Sequence, residues 1–448
     1  MSEFVVCGRL LDTLALREAT AEVAALRIDA EGVIVERAPD GTDAFDALRL
    51  RDDAIVLPPD HVLIAGLSDL HIHAPQWPQA GQALDRPLED WLGAYTFPLE
   101  ARYADPAFAK AVYADLVLSL LACGTTSALY FSTIHEEASL ELARACLAHG
   151  QRGFVGLVAM DDPGLCPPDY RHASAREALD ATRRFIAAVR ALPGNDRGLV
   201  QPVITPRFIP ACSDALLEGL GALARETGVR VQTHASESDW AHQHVIERLG
   251  CTDSEALDRF GLLRPHTVLA HANFIDRDDR DRIRARDAAV AHCPISNAYF
   301  ANSVLPLREI LDEGVRCGLG TDIAGGYTPS IFENARQAVT SSRLRESGVD
   351  AGKPPALRGG VAGARVDFLE AFYLATRGGA EALGVSAGAL RPGMMFDAVA
   401  IAGRRGHLRL QDDDTAATLV QKIVCHAGRE TIVRVWVDGR AIKLKSDE

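Results

Sequence analysis

Two histidines one residue apart, in Asp69-Leu70-His71-Ile72-His73, are the first side chains in this sequence that could act together on one ion. If the segment is a strand, alternate side chains share a face, so His71 and His73 point together and Ile72 points away. Two adjacent imidazoles can chelate a metal. The motif alone is weak evidence, because histidine pairs in strands are common. Three later segments strengthen it: His234 in His234-Ala235-Ser236-Glu237, His271 in LAHANF (269–274), and Asp322 in LGTDIAGGY (319–327). Each has a plainer reading, His271 as a satisfied core histidine and Asp322 as a helix cap. What favours a metal site is that all of them close apolar runs that read as successive strands, where a barrel carries its catalytic groups. Nitrogen ligands plus a carboxylate suit Zn²⁺ with one position left for water, and Fe²⁺ accepts the same set less readily. Zinc would lower the pKa of its water to ~7, giving hydroxide at neutral pH.

The elements that must position these groups follow from the hydrophobic pattern. Short apolar runs at Val62–His73, Thr125–Phe131, Gly153–Met160, Val200–Phe208, Arg230–Glu237, Thr267–Ala272, Ala289–Ile295 and Cys317–Asp322 alternate with helical stretches such as Phe108–Leu121 and Ala215–Thr227. Eight strands with helices between them predict an α/β fold, a (β/α)8 TIM barrel over 65–391. A doubly wound open sheet fits the alternation too, but neither GxGxxG after the first strand nor GxxxxGK[ST] occurs to support a nucleotide fold. The two ends, 1–64 and 392–448, read instead as short β runs: Phe4–Val6, Leu26–Ile28 and Val33–Glu36, then Phe396–Ile401, Thr418–Cys425 and Thr431–Val437. Asp438-Gly439 is a hairpin signal. Both ends are expected to fold together as one small β-sandwich. The segment from Ala74 to Pro106, rich in aromatic residues, is long enough to serve as a substrate lid, or its rings could be extra core.

Composition narrows the partners. The 448 residues carry 47 Lys and Arg against 61 Asp and Glu, a formal charge of −14, and no basic run suggests a nucleic-acid footprint. A small neutral or cationic substrate fits better. The nine cysteines are scattered without a CxxC, which reads as reduced thiols in a cytoplasmic protein. No signal pattern or membrane span is evident.

The quoted motifs, with AHCPISN (291–297), resemble the amidohydrolase superfamily and its mononuclear deaminase branch. That resemblance implies one zinc ion held by His71, His73, His234 and Asp322, with His271 beside the hydroxide or the departing group. The fourth strand lacks the lysine that binuclear members carboxylate, which favours a single ion. Within the branch, HAPQW (73–77), LEDWLGAYTFPLEARY (88–103), ACGTTSALYFSTIH (122–135), ITPRF (204–208) and TDIAGGY (321–327) resemble the guanine deaminase family. The resemblance implies purine binding by Gln76, Arg207 and Phe208 under the lid residue Trp91. It also implies catalysis by Glu237, His271 and Asp322, and a homodimer. The implied reaction is hydrolysis of guanine to xanthine and ammonia, a step of purine catabolism. Glu237 would move a proton from water to the ring, and Asp322 would help hand one to the leaving amine. Other aminated rings remain alternatives (8-oxoguanine, a pterin, a triazine), as does a non-catalytic scaffold. The zinc deaminase fold that carries H-x-E and P-C-x-x-C is excluded, because Cys293-Pro294 has the reverse order.

Overall fold

A computed structural model describes residues 2–444; Met1 and positions 445–448 of the expected terminal unit lie outside the described residues. The amino-terminal part forms β1 (Phe4–Ala15), β2 (Glu18–Ile28), β3 (Ile34–Pro39), β4 (Ala54–Val56) and β5 (His61–Ala65). The barrel strands follow as β6 (Leu67–His73), β7 (Thr125–Phe131), β8 (Arg152–Ala159), β9 (Val200–Pro206), β10 (Arg230–Ala235), β11 (Val268–His271), β12 (Ala289–His292) and β13 (Arg316–Leu319). The chain ends with β14 (Ala398–Ala402), β15 (Ile432–Val437) and β16 (Arg440–Ala441).

Strands β6 to β13 pair in sequence order, every pair parallel. The sheet closes on itself just beyond β13, where the Asp322 N–H donates to the His71 carbonyl at 2.8 Å and the His73 N–H to the Ile323 carbonyl at 2.7 Å. This is the expected barrel. Helices cover it with one apolar face each. In Ala175–Arg190 the buried residues Ala178, Ala181, Thr182, Phe185, Ile186 and Val189 recur at helical spacing. Ser174 starts that helix by accepting the Glu177 N–H.

Both chain ends meet in one mixed sheet of order β16-β15-β14-β5-β1-β2-β3, with β4 beside β1. Its strands alternate between two cores. Val62 and Ile64 of β5 and Val399 and Ile401 of β14 join the barrel's helical layer, whereas Leu63, Ala65, Ala398 and Ala400 pack with Phe396 and Trp436 on the other face. The turn between β15 and β16 is Asp438-Gly439, both at positive φ (53° and 76°), as a two-residue type I′ turn demands.

Two local expectations fail. The run Val62–His73 is not one strand: it breaks at Gly66, and its first half belongs to the terminal sheet. Thr418–Cys425 is helical, within Ala416–His426; its β-branched residues favour a strand, but Leu419, Val420, Ile423 and Val424 fall on one helical face and are buried. We propose that the division into domains falls at the Gly66 break and again near residue 391.

Candidate metal and substrate site

The polar residues singled out by spacing converge at one end of the barrel. His71 and His73 end β6, His234 lies in β10, His271 ends β11, and Asp322 lies three residues beyond β13; all are buried. His73 Nε2 lies 2.9 Å from His234 Nε2. Asp322 Oδ1 lies 3.1 Å from His71 Nε2 and 3.6 Å from His73 Nε2. Donor atoms around a tetrahedral zinc at ~2.0–2.1 Å would be about 3.3 Å apart, so this spacing is that of a ligand set. His71 Nε2 and His271 Nε2 are buried without a hydrogen-bond partner, a cost that a bound ion would remove. His71, His73 and His234 also bring their ring nitrogens within 4.8 Å of one another. The chain can hold a metal ion at this point.

Neighbouring groups aim the rings. His234 Nδ1 lies 2.5 Å from the Arg207 carbonyl and His271 Nδ1 2.9 Å from Asn297 Oδ1. As donors to those oxygens, both Nδ1 atoms carry the proton and leave Nε2 free to face the site. Asp69 ties β6 to the Asp322 segment, accepting from Thr321 Oγ1 at 2.6 Å, Thr321 N at 3.0 Å and His71 N at 3.2 Å. Burial, reinforced by neighbouring imidazoles, holds His71, His73 and His234 well below the usual histidine range and so neutral, the form that binds metals. Burial first, and the Asp322 carboxylate second, hold Glu237 above the usual carboxylate range. Glu237 Oε1 sits 3.6 Å from His271 Nε2.

The backbone at this end is strained. Ser236, His271 and Asp322 occupy the left-handed region at φ 40°, 68° and 51°, which costs an L-residue about 1–2 kcal/mol. Such conformations gather where function needs a side chain in a set direction. After Asp322 the chain needs small residues: a Cβ on Gly325 would lie 2.7 Å from Asp322 Oδ2.

One small pocket opens onto this cluster. It is lined by His73, His234, Glu237 and Asp322, by the expected purine-binding residues Gln76, Trp91, Arg207 and Phe208, and by Leu88, Leu92, Phe300 and Gly325. His71 and His271 lie deeper. Trp91 packs at 5.3 Å on Phe300 and donates Nε1–H to the Gln82 carbonyl. The expected lid is a wrap of short helical turns between Ala74 and Ala104, whose inner residues Gln76, Gln79, Thr96, Glu100 and Tyr103 are buried. The sequence reading missed Glu100, Phe300 and Asn297. Phe300 follows AHCPISN by three residues and Asn297 closes it, so their place next to a strand-end motif was the available signal. Glu100 lies inside the quoted stretch LEDWLGAYTFPLEARY (88–103), which was its signal, although a carboxylate in a helical run otherwise reads as solvated.

The amidohydrolase family model matches residues 62–442. A probable guanine deaminase of Schizosaccharomyces pombe is 37% identical over 393 residues, 86% of this chain and 72% of that protein. The guanine deaminase of Homo sapiens is 34% identical over 387 residues, 84% of this chain and 82% of that protein. The crystal structure of guanine deaminase from C. acetobutylicum, with guanine bound in its active site, superposes with a TM-score of 0.86 at 27% identity, covering 99% of this chain and 100% of that one. On this extent of similarity, the chain belongs to the amidohydrolase family and, within it, to the guanine deaminases.

Proposed function

We propose that this chain hydrolyses guanine at C2, releasing ammonia and leaving xanthine. The observation that carries the reading is a single pocket onto which the Glu237 carboxyl group, members of the metal-ligand set and aromatic walls all face. His71, His73, His234 and Asp322 would hold the ion, and three imidazoles with one carboxylate support zinc. When bound, the metal supplies the Lewis acidity that makes water a competent nucleophile near neutral pH.

The chain's own groups do the rest. Glu237, held above the usual carboxylate range, takes a proton from the attacking water and gives it to the ring nitrogen beside C2, which makes C2 electrophilic. Asp322 collects the second proton and passes it to the amine, which leaves as ammonia. His271, fixed by Asn297, presents Nε2 to the oxygen arriving at C2. Arg207 and Gln76 donate to the C6 oxygen, and Phe208 and Trp91 bound the ring. We place the protein in the cytosol, supported by nine free thiols among the described residues and by the absence there of a helix long and apolar enough to cross a membrane. A homodimer rests on the family resemblance alone.

The test is ammonia release by zinc-loaded protein from guanine, with 8-oxoguanine, adenine and cytosine alongside. Guanine should be turned over best, and adenine should be poor because its amine is on the other carbon. Preference for another ring would move the substrate assignment and leave the metal chemistry standing.

A further inference from the structure

Behind the pocket wall lies a carboxylate that does not face the pocket. Glu100 is completely buried, yet both of its oxygens are used. Oε1 accepts from Gln76 Nε2 at 2.8 Å and from Arg207 Nη2 at 3.2 Å, and Oε2 accepts from Arg207 Nη1 at 2.6 Å. Phe97, one helical turn earlier, lies under the same guanidinium at 5.0 Å. The short helix Phe97–Ala101 thus offers Arg207 a ring and a carboxylate at positions i and i+3. On the opposite side of Gln76, Oε1 accepts the Ala324 N–H at 3.2 Å.

These contacts remove an ambiguity that a primary amide otherwise has. With Nε2 committed to Glu100 and Oε1 to Ala324, Gln76 cannot exchange its oxygen and nitrogen, and one N–H is left over. Arg207 has five N–H groups. Two are spent on Glu100, and the remaining three belong to a guanidinium that can no longer swing. Burial works against the Arg207 charge, but the adjacent carboxylate more than offsets it, so the guanidinium stays charged. A hydrophobic residue in the position of Glu100 would leave the buried Arg207 charge unpaired. It would orient nothing.

We propose that Glu100 is a positioning residue for substrate selection: it aligns the leftover N–H groups of Gln76 and Arg207 so that together they recognise the carbonyl oxygen at C6 of the purine. The proposal rests on the guanine reading of the pocket. It also accounts for a neutral substrate, because Glu100 cancels the charge that Arg207 would otherwise present to the ring.

Glu100→Gln tests it, because the new amide must turn an NH2 towards either Gln76 or Arg207, both donors. Guanine kcat/KM should fall about 10- to 100-fold, mostly through KM, with metal content unchanged. The control is 2-aminopurine, which lacks the C6 oxygen and competes with guanine whether or not it is turned over. Its inhibition constant should change less than about threefold. Glu100→Asp keeps the charge beside Arg207 and so protects folding. Shorter by one methylene, it should show an intermediate loss with the same selectivity. Equal losses for both purines in either variant, or none, overturn the role of Glu100 alone. No guanine turnover by the native protein overturns the functional reading and this proposal with it.

Discussion

The barrel has a buried ion pair at each end, and the two are put to different use. At the amino-terminal end Arg152, the first residue of β8, donates through Nε and Nη2 to the two carboxylate oxygens of Asp397, both at 3.2 Å. The Asp438 N–H donates to Asp397 Oδ1 at 2.7 Å, and Arg197 lies 3.1 Å from Asp438 Oδ2. That cluster joins the barrel floor to the β14 and β15–β16 segments and is no part of the pocket at the mouth. At the opposite end Arg207, just beyond β9, is held as firmly by Glu100, but it lines the pocket. The same interaction fastens two parts of the chain in one place and, on the function proposed above, prepares a donor for a ligand in the other. The difference lies in which hydrogen-bonding groups are left over, a fact about the barrel end and not about the pair.

Removing a metal ligand should separate the ends most sharply. His71→Ala or Asp322→Ala is expected to take turnover below detection while circular dichroism shows a folded barrel, because the helical layer and the terminal sheet carry the stability. Chelation of the native protein should do the same, with recovery on adding zinc. Loss of the fold in these variants would make the mouth as structural as the floor. His271→Ala should keep most of its metal and lose rate; complete metal loss would make His271 a ligand.

Next in size is Glu237→Gln. It keeps the shape but cannot carry a proton, so turnover should fall at least ~10²-fold, with metal content unchanged. Near-native turnover would leave Asp322 to perform both proton transfers.

The two arginines give the direct comparison. Arg207→Ala and Arg152→Ala each leave a carboxylate buried without its partner, and each should lower stability by about 3–5 kcal/mol. Per folded molecule they should part. Arg207→Ala should lose about 10- to 150-fold in guanine kcat/KM, the worth of a charged donor on a buried acceptor. Arg152→Ala should lose nothing. Denaturant titration and kinetics on the same preparations check both. A catalytic loss in Arg152→Ala would mean that the floor communicates with the mouth.

Much of this site was legible because its signals are local. HxH in a strand, a histidine or an aspartate at the close of an apolar run, and GG after Asp322 each express a constraint within a few residues. The eight-strand order was legible for the same reason. What the pattern hid was set by distant partners. Val62–His73 reads in the pattern as one strand, and the neighbours β14 and β7 divide it between two sheets at Gly66. The helix Ala416–His426 is rich in β-branched residues, and burial against the barrel's helical layer overrides their preference. Glu100 meets Arg207 across 107 positions of chain, and its place in LEDWLGAYTFPLEARY says nothing of that distant partner.

The smallest expected effect concerns backbone strain, which both ends carry. On the floor, left-handed positions 438 and 439 hold an aspartate, whose carboxylate meets Arg197, and a glycine. At the mouth, left-handed positions hold Ser236, His271, Ala272 and Asp322, and for His271 and Asp322 the reason is plain, since the side chain is needed. Ser236 belongs neither to the ligand set nor to the pocket lining. Its N–H donates to Asp253 Oδ1 at 3.0 Å, its carbonyl accepts the Asn273 N–H at 3.2 Å, and Asn273 Nδ2 donates to the Glu237 carbonyl at 2.9 Å. The turn that aims Glu237 is therefore pinned on both flanks, with Ser236 as its bent link. Ser236→Gly would relieve about 1–2 kcal/mol of left-handed strain. Against that stand roughly 0.5–1 kcal/mol of added chain entropy and the long Phe274 N–H contact to Ser236 Oγ, 3.4 Å. Stability should therefore move by less than about 1 kcal/mol. Turnover should nonetheless fall severalfold at unchanged metal content, because a glycine link lets Glu237 leave the direction that proton transfer requires. Unchanged turnover would show that Asp253 and Asn273 hold Glu237 without help from the strained residue.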